Sequence, residues 1–586
     1  MWNYVRFRYR RSVRRLRRDV RVMRAWAGNY INRHIWGKWH QLRVVRRFLL
    51  LWWLIAAVGI VGLWQQIGGL NFLASLSAPE PGGTYTEAAV GTVNNLNPLL
   101  PESDAASNIN RLIFSGLTRY NSLGQIVPDL ATWDVSDSGK TYTFHVRHGV
   151  RWTDNVPFTS QDVAFTLTAI QNPDSRSPLA SSWQGVTIDT PDDFTVVYHL
   201  PQPLASFLDS TTVGIVPRHL LEGVDPSELR TASFNQHPIG TGPFMIKDFA
   251  PSAGEIELAA NPRYYFGRPQ LDEFDFKFYD SATAALTAYA QHQVTSPGRI
   301  LPSEAAQSRL ERGLVQYEFT LPQENTVFFN NTDPALSNKT LRAILSRALN
   351  RQAVLQAATG GQGVVVTQPL LPGQLGYTNA YQPAPLPIKA ARAALDAAGW
   401  TVPAGQTVRT QNGHSLSFKL VTLNNPELEQ AAAAVKAQWA PLGVQIQVEA
   451  VDADTLQQTY MRPRNFQMLL YGINVGSDPD VYAFWHSSQA ADPGVNLSQY
   501  SDPAADKALE AGRIKSDPAV RQAKYQAFLQ AWDTDAPAAI LYQSGYVYAT
   551  QTDVAGIAAH RLIVPADRFY AVERWTVRRH LVPASY

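Results

Sequence analysis

Histidines, acids and hydroxyls are the side chains of this sequence that could do chemistry, because it contains no cysteine. That absence removes disulfides, thiolate metal sites, cysteine nucleophiles and a cysteine for lipid attachment. Twelve histidines are scattered along the chain. His145 and His148 lie three apart in a strand-like stretch, which turns them to opposite faces and makes poor metal geometry. The acidic pair Asp192-Asp193 reads as part of a turn. No GxSxG, HExxH or GxxxxGK[ST] pattern occurs, nor a GxGxxG that opens a helix. Gly360-Gly361-Gln362-Gly363 is too short to cradle a phosphate and follows a helical run, so it reads as a helix stop and loop. The chain is therefore read as a non-enzyme with no cofactor and no metal.

Charge narrows the partners. The net charge of +3 conceals an asymmetry, since residues 1–47 hold 15 Lys or Arg and one acid, Asp19. What remains over 48–586 is 36 basic and 47 acidic residues, a balance of −11. A nucleic-acid binder carries its positive charge on the folded body, where it can track phosphates, so no nucleic-acid partner is expected. At 586 residues the chain exceeds a single core, which stops growing near about 250–300 residues. Its 45% apolar share is ample for two or three domains.

Residues 48–64 read FLLLWWLIAAVGIVGLW, and no charge falls between Arg47 and Glu80. At about 1.5 Å per helical residue, this run and a few flanking residues reach the roughly 30 Å hydrocarbon thickness. Trp52, Trp53 and Trp64 lie near its two ends, where amphipathic rings favour the interface. We read one N-terminal transmembrane helix over 48–66, a basic cytoplasmic arm over 1–47 and a linker over 67–81. The body then lies outside the cell membrane. A cleaved signal peptide ending near Ser75-Leu76-Ser77-Ala78 is the alternative. Arginines at 10, 11, 14, 15, 17, 18, 21 and 24 would cover most sides of a helix, which suits anionic lipid. A cytoplasmic partner for this arm, making the chain a sensor or scaffold, is the other reading.

In the body, short strands alternate with helices. TYTEAAV, from residue 84, is the first strand, and 141–147 and 194–200 alternate as half-buried strands do. Thr159 can cap the helix SQDVAFTLTAI. The stretches 340–358, 388–399 and 428–441 read as helices, 416–422 and 444–451 as strands. Arg342 and Arg347 are expected to be solvated or ion-paired. The pattern is α/β with more than one sheet.

Four blocks carry a resemblance. From Leu112 to Ile170 the chain contains IFSGL, PDLATW and GKTYTFHVRHGVRWTDNVPFTSQDV. This is similar to the signature of the family 5 extracellular solute-binding proteins, among them oligopeptide and dipeptide binders. Val146 stands there for a Leu and Asn155 for a Gly. Gly240-Thr241-Gly242-Pro243-Phe244 with Asn261-Pro262-Arg263-Tyr264-Tyr265 resembles a second family block. Phe329-Asn330-Asn331 with LRAILSRALNRQAV resembles a third, with Asn350 for an Asp. The run from Tyr471 to Trp485, continuing through Asn496 and Tyr500, resembles a fourth. The resemblance spans roughly 82–560 in family order.

It implies a two-lobed periplasmic-binding-protein-like fold of type II with an extra inserted domain. Lobe one would comprise 82–125, 240–322 and 546–586, the inserted domain 126–239, and lobe two 323–545. The implied function is the substrate-binding component of an ABC importer, a monomer that captures peptides between its lobes and passes them to permease subunits. Alternatives are a nonpeptide solute such as an oligosaccharide, opine or metal chelate. Family peptide binders pair ligand backbone with a strand, here Met468 to Asn474. The ligand set implied is Tyr471, Gly472, Ile473, Asn474, Asp478, Trp485, His486 and Asn330. Trp152, Tyr542 and Asn97 are weaker candidates. The family's acid for the ligand ammonium falls on Val475, so Asp478 or Asp480 would have to replace it, unless they cap a helix.

Overall fold

The computed structural model describes residues 48, 50–62, 75–136, 139–300, 313–382, 384–514 and 517–583. They fall into two units, one of residues 1–78 with 580–586 and one of residues 79–579. In the first unit, residues 48 and 50–62 are helical with exposed side chains. Among the described residues no helix is long and apolar enough to cross a membrane. The basic arm, and residues 63–74 of the expected anchor and linker, lie outside the described residues.

The second unit contains three main sheets. In the first, Thr84–Val90 runs parallel to Glu273–Tyr279, and Glu255–Ala260 and Phe244–Ala250 follow antiparallel. Its inward side chains build an aromatic core, with Tyr85 4.8 Å from Phe274 and 5.5 Å from Trp575 between ring centres. Within this core Arg568 and Glu87 form a buried ion pair, and Tyr548 donates to the second Glu87 oxygen at 2.7 Å. Both charges need these partners, since an unpaired buried charge is costly.

The second sheet orders Ala131–Val135, Thr141–Val146, Thr195–His199 and Thr187–Asp192. Alternation turns Tyr142, Phe144, Val196 and Tyr198 inward. Helix Ser160–Gln171 covers this core, and its start is fixed by a capping box in which Asp162 accepts from the Thr159 amide at 2.9 Å. Asn155 has φ of 79°, a left-handed conformation that explains why its family place usually holds Gly.

The third sheet is ordered Gly298–Ile300, Ala538–Gln551, Leu314–Phe329, Met468–Asn474, Ser417–Leu423 and Gln445–Val451, with Gly363–Val365 also on Ala538–Gln551. Its two longest strands, Leu314–Phe329 and Ala538–Gln551, pass through two cores. Phe319, Tyr546 and Tyr548 pack with the first two sheets. Val327, Phe329 and Leu541 pack in a separate core under helices Arg351–Thr359 and Pro426–Trp439. Their pairing breaks register between Thr320 and Glu324, where the strands leave one core for the other. Two lobes joined by crossing strands result.

Two local expectations change. The stretch 340–358 is two helices, Lys339–Arg347 and Arg351–Thr359, because the Asn350 side chain accepts from the Ala353 amide and starts a new one. Arg342 is buried rather than solvated or ion-paired, and donates to the carbonyls of Leu336, Asp535 and Ala536.

Candidate functional site

Strand Met468–Asn474 is antiparallel to Leu314–Phe329 along its whole length, from Met468 opposite Phe329 to Asn474 opposite Gln323. On its other side it pairs with Ser417–Leu423 only through Met468, Leu469 and Leu470. Among the described strands, Tyr471 to Asn474 therefore has a neighbour on one side alone. Its other edge carries no strand partner there, the arrangement an added strand can complete. A Cβ at Gly472 would lie 2.6 Å from the amide end of the Gln323 side chain, which would have to move aside.

The end of that strand meets a cavity of about 610 Å³. Asn474 is exposed and lines it, opposite Asn110 and Arg111 and, from the segment 126–239 that shares their core, Asp209. Helix Asp104–Ile113 positions Asn110 and Arg111, and Ser103 caps its start by accepting from the Ala106 amide. The helix is held by GTGPF. A Cβ on Gly240 would come within 1.9 Å of the Ile113 carbonyl oxygen, and one on Gly242 within 2.5 Å of that of Leu112. Both glycines are required by close backbone approach.

Asp209 ties the core it shares with the first lobe to the second lobe. Its Oδ1 accepts from the Tyr120 hydroxyl at 2.5 Å and from the Ser477 hydroxyl in the loop after Asn474. Burial raises its carboxyl above the ordinary value, against the lowering effect of both hydroxyls. The Ala205 amide donates to the Arg513 carbonyl at 3.3 Å, and Arg561 to the Pro372 carbonyl at 3.3 Å. Arg111 lies 3.5 Å from Asp567, whose other oxygen accepts from the amides of Ile563 and Val564.

Of the residues proposed from sequence, Asn474 lines the cavity and Tyr471 and Gly472 are half-buried beside it in sequence. Ile473 and Val475 point into the second-lobe core. Asp478 lies 2.6 Å from Arg521 and accepts from the Asp480 amide, while Asp480 pairs with Arg513 at 2.9 Å. Trp485 is fully buried, between Phe328 and Trp532. His486 stacks on Tyr482 at 4.1 Å, and its Nδ1 accepts from the Ser488 amide. Asn330 donates to the Phe466 carbonyl and accepts from Thr332 and Gln499. Trp152, Tyr542 and Asn97 are fully buried. Asp209, Ser477, Tyr120 and Asn110 were not singled out by sequence; Ser477, next to Asp478-Pro479-Asp480, was the one with a nearby signal.

A cavity reached by both halves of a two-lobed α/β body, beside an open strand edge, defines a solute-binding protein. The family model for bacterial extracellular solute-binding proteins, family 5 middle, matches residues 125–496. A Brucella ovis protein named provisionally as an ABC transporter peptide-binding protein is 30% identical over 79% of this chain and 87% of its own. The oligopeptide-binding protein AppA of Bacillus subtilis is 26% identical over 86% of this chain and 93% of its own. Its crystal structure with a nonapeptide superposes with a TM-score of 0.68 at 24% identity, covering 86% of this chain and 100% of that one. NikZ of Campylobacter jejuni, solved with Ni(L-His), gives 0.70 at 24% identity over 84% and 99%. These two structures support the fold. The chain belongs to the family 5 bacterial extracellular solute-binding proteins.

Proposed function

We propose that this protein is the extracytoplasmic substrate-binding component of an ABC importer and captures peptides by closure of its lobes. The observation that carries the reading is the cavity at the Asn474 end of strand Met468–Asn474, whose stretch Tyr471 to Asn474 has a strand partner on one side alone, beside the Ser477–Asp209 hydrogen bond. An extended peptide placed along that edge gains backbone hydrogen bonds independent of its sequence. Gly472 and Asn474 are the proposed pairing residues, and the register break at Thr320 to Glu324 the proposed hinge. The apolar run over 48–66 is proposed as the anchor that holds the body outside the membrane, with residues 1–47 on the cytoplasmic side.

The test uses the full chain in detergent, unfolded and refolded to strip carried ligand. A pool of di- to nonapeptides is expected to raise its Tm progressively with concentration, as a ligand specific to the native state must. No shift across the pool removes the peptide assignment. A nonpeptide solute is the second reading, favoured by Val475, which is buried at the place where the resemblance would put an acid for the ligand ammonium. Native mass spectrometry of the protein as isolated separates the two by the mass retained.

A further inference from the structure

The cavity's polar groups are mismatched in one direction. Asn110 is only 7% exposed, lines the cavity, and its side-chain oxygen has no hydrogen-bond partner. Asp209 also lines the cavity, and both hydroxyls that reach it donate to Oδ1, leaving Oδ2 without a donor among the described residues. Four charged side chains line the space, Asp104, Asp209, Asp567 and Arg111. Arg111 and Asp567 face each other, so the uncompensated charges are two carboxylates. The Asn110 oxygen is buried without a donor, which costs free energy until something supplies one.

We propose that this cavity takes a cationic nitrogen group of the solute, and that Asp209 is the residue that selects it. The inference rests on the solute-binding reading above. Asn110 adds a second acceptor. One carboxylate thus performs two tasks with its two oxygens: Oδ1 holds Ser477 of the opposite lobe, and Oδ2 meets the ligand's N–H donors. Filling the cavity with a cation strengthens the charge-assisted side of this arrangement in a partly water-excluded space. Closure is then favoured by ligands of one charge type.

The experiment is calorimetric titration of the refolded full chain with trialanine, N-acetyl-trialanine, trilysine and triglutamate, with cadaverine as a non-peptide amine. Free-amine peptides are expected to bind at least about 30-fold more tightly than the acetylated one, the equivalent of losing one partner of a buried charge pair. Asp209→Asn is expected to abolish that ratio, whatever it does to the binding of both peptides through the Ser477 bond. Asn110→Ala, which keeps the carboxylate, is expected to lower the ratio several-fold, and guards against misfolding of the first variant. Triglutamate or N-acetyl-trialanine binding as well as trialanine would overturn the inference, as would an unchanged ratio in Asp209→Asn. If no peptide binds, the peptide reading fails alone when cadaverine raises Tm in the parent and not in Asp209→Asn. Both fail when cadaverine has no effect either.

Discussion

Asp275 illustrates how a single buried acid sets a pH response. It is 8% exposed in strand Glu273–Tyr279, and its Oδ1 has no partner. Burial, and then the charges of Glu257, Glu273 and Glu255, raise its carboxyl to about 7. The unfolded chain releases that proton near an ordinary carboxylate value, so the native state holds more protons between pH 4 and 7. Stability from this group is therefore lost as pH rises through that window. Asp275→Asn is expected to raise Tm at pH 8, with the gain shrinking toward pH 5, in thermal melts followed by circular dichroism. An equal gain at both pH values would refute this account. Glu324, buried with both oxygens unpartnered, is shifted in the same direction by burial. At this scale sequence is a partial guide. The departure at Asn155, an Asn where the family has Gly, fits the left-handed conformation found there, since Asn is the usual substitute where Gly is favoured. Arg342 gave no sign of its burial, because the carbonyls that receive it come from Leu336, Asp535 and Ala536, the last two far along the chain.

Elements were legible where periodicity and caps coincide. Strand Thr84–Val90 follows the Pro/Gly-rich turn that marks its start, and Met468–Asn474 is the strand that the resemblance implied. The break within 340–358 was missed because both helices are strong formers and the interruption is three residues long. Asn350 makes that break by capping, so Asn350→Ala is expected to cost about 1 kcal/mol in urea unfolding, with no change in the slope of the transition. A cost near zero would mean the cap is dispensable. The one-sided pairing of Tyr471 to Asn474 was not legible either. It depends on Ser417–Leu423 pairing no further than Leu470, a register property that no single strand encodes.

For the whole molecule, the order of the family blocks predicted two lobes, and the cores on either side of the Thr320 to Glu324 register break agree with that architecture. The bridge between lobes was beyond sequence reasoning, since LASFLDS and NVGSDPD carry no periodic signal that would pair Asp209 with Ser477. Ser477→Ala removes the cross-lobe bond and leaves the carboxylate in place. A hydrogen bond to a charged group is worth about 1.5–3 kcal/mol, so ligand release is expected to quicken about tenfold or more in stopped-flow measurements. An unchanged release rate would show that closure does not depend on this bond.

The unpaired edge of Tyr471 to Asn474 also bears on the empty molecule. Backbone that lacks a strand partner on one side can pair with another stretched polypeptide, a second copy of the same protein included, and natural sheets normally blunt such margins. A molecule without solute thus risks self-association at the edge proposed above for peptide pairing. By fastening Ser477 beside this margin to Asp209, the bridge between the lobes becomes a guard against that fate.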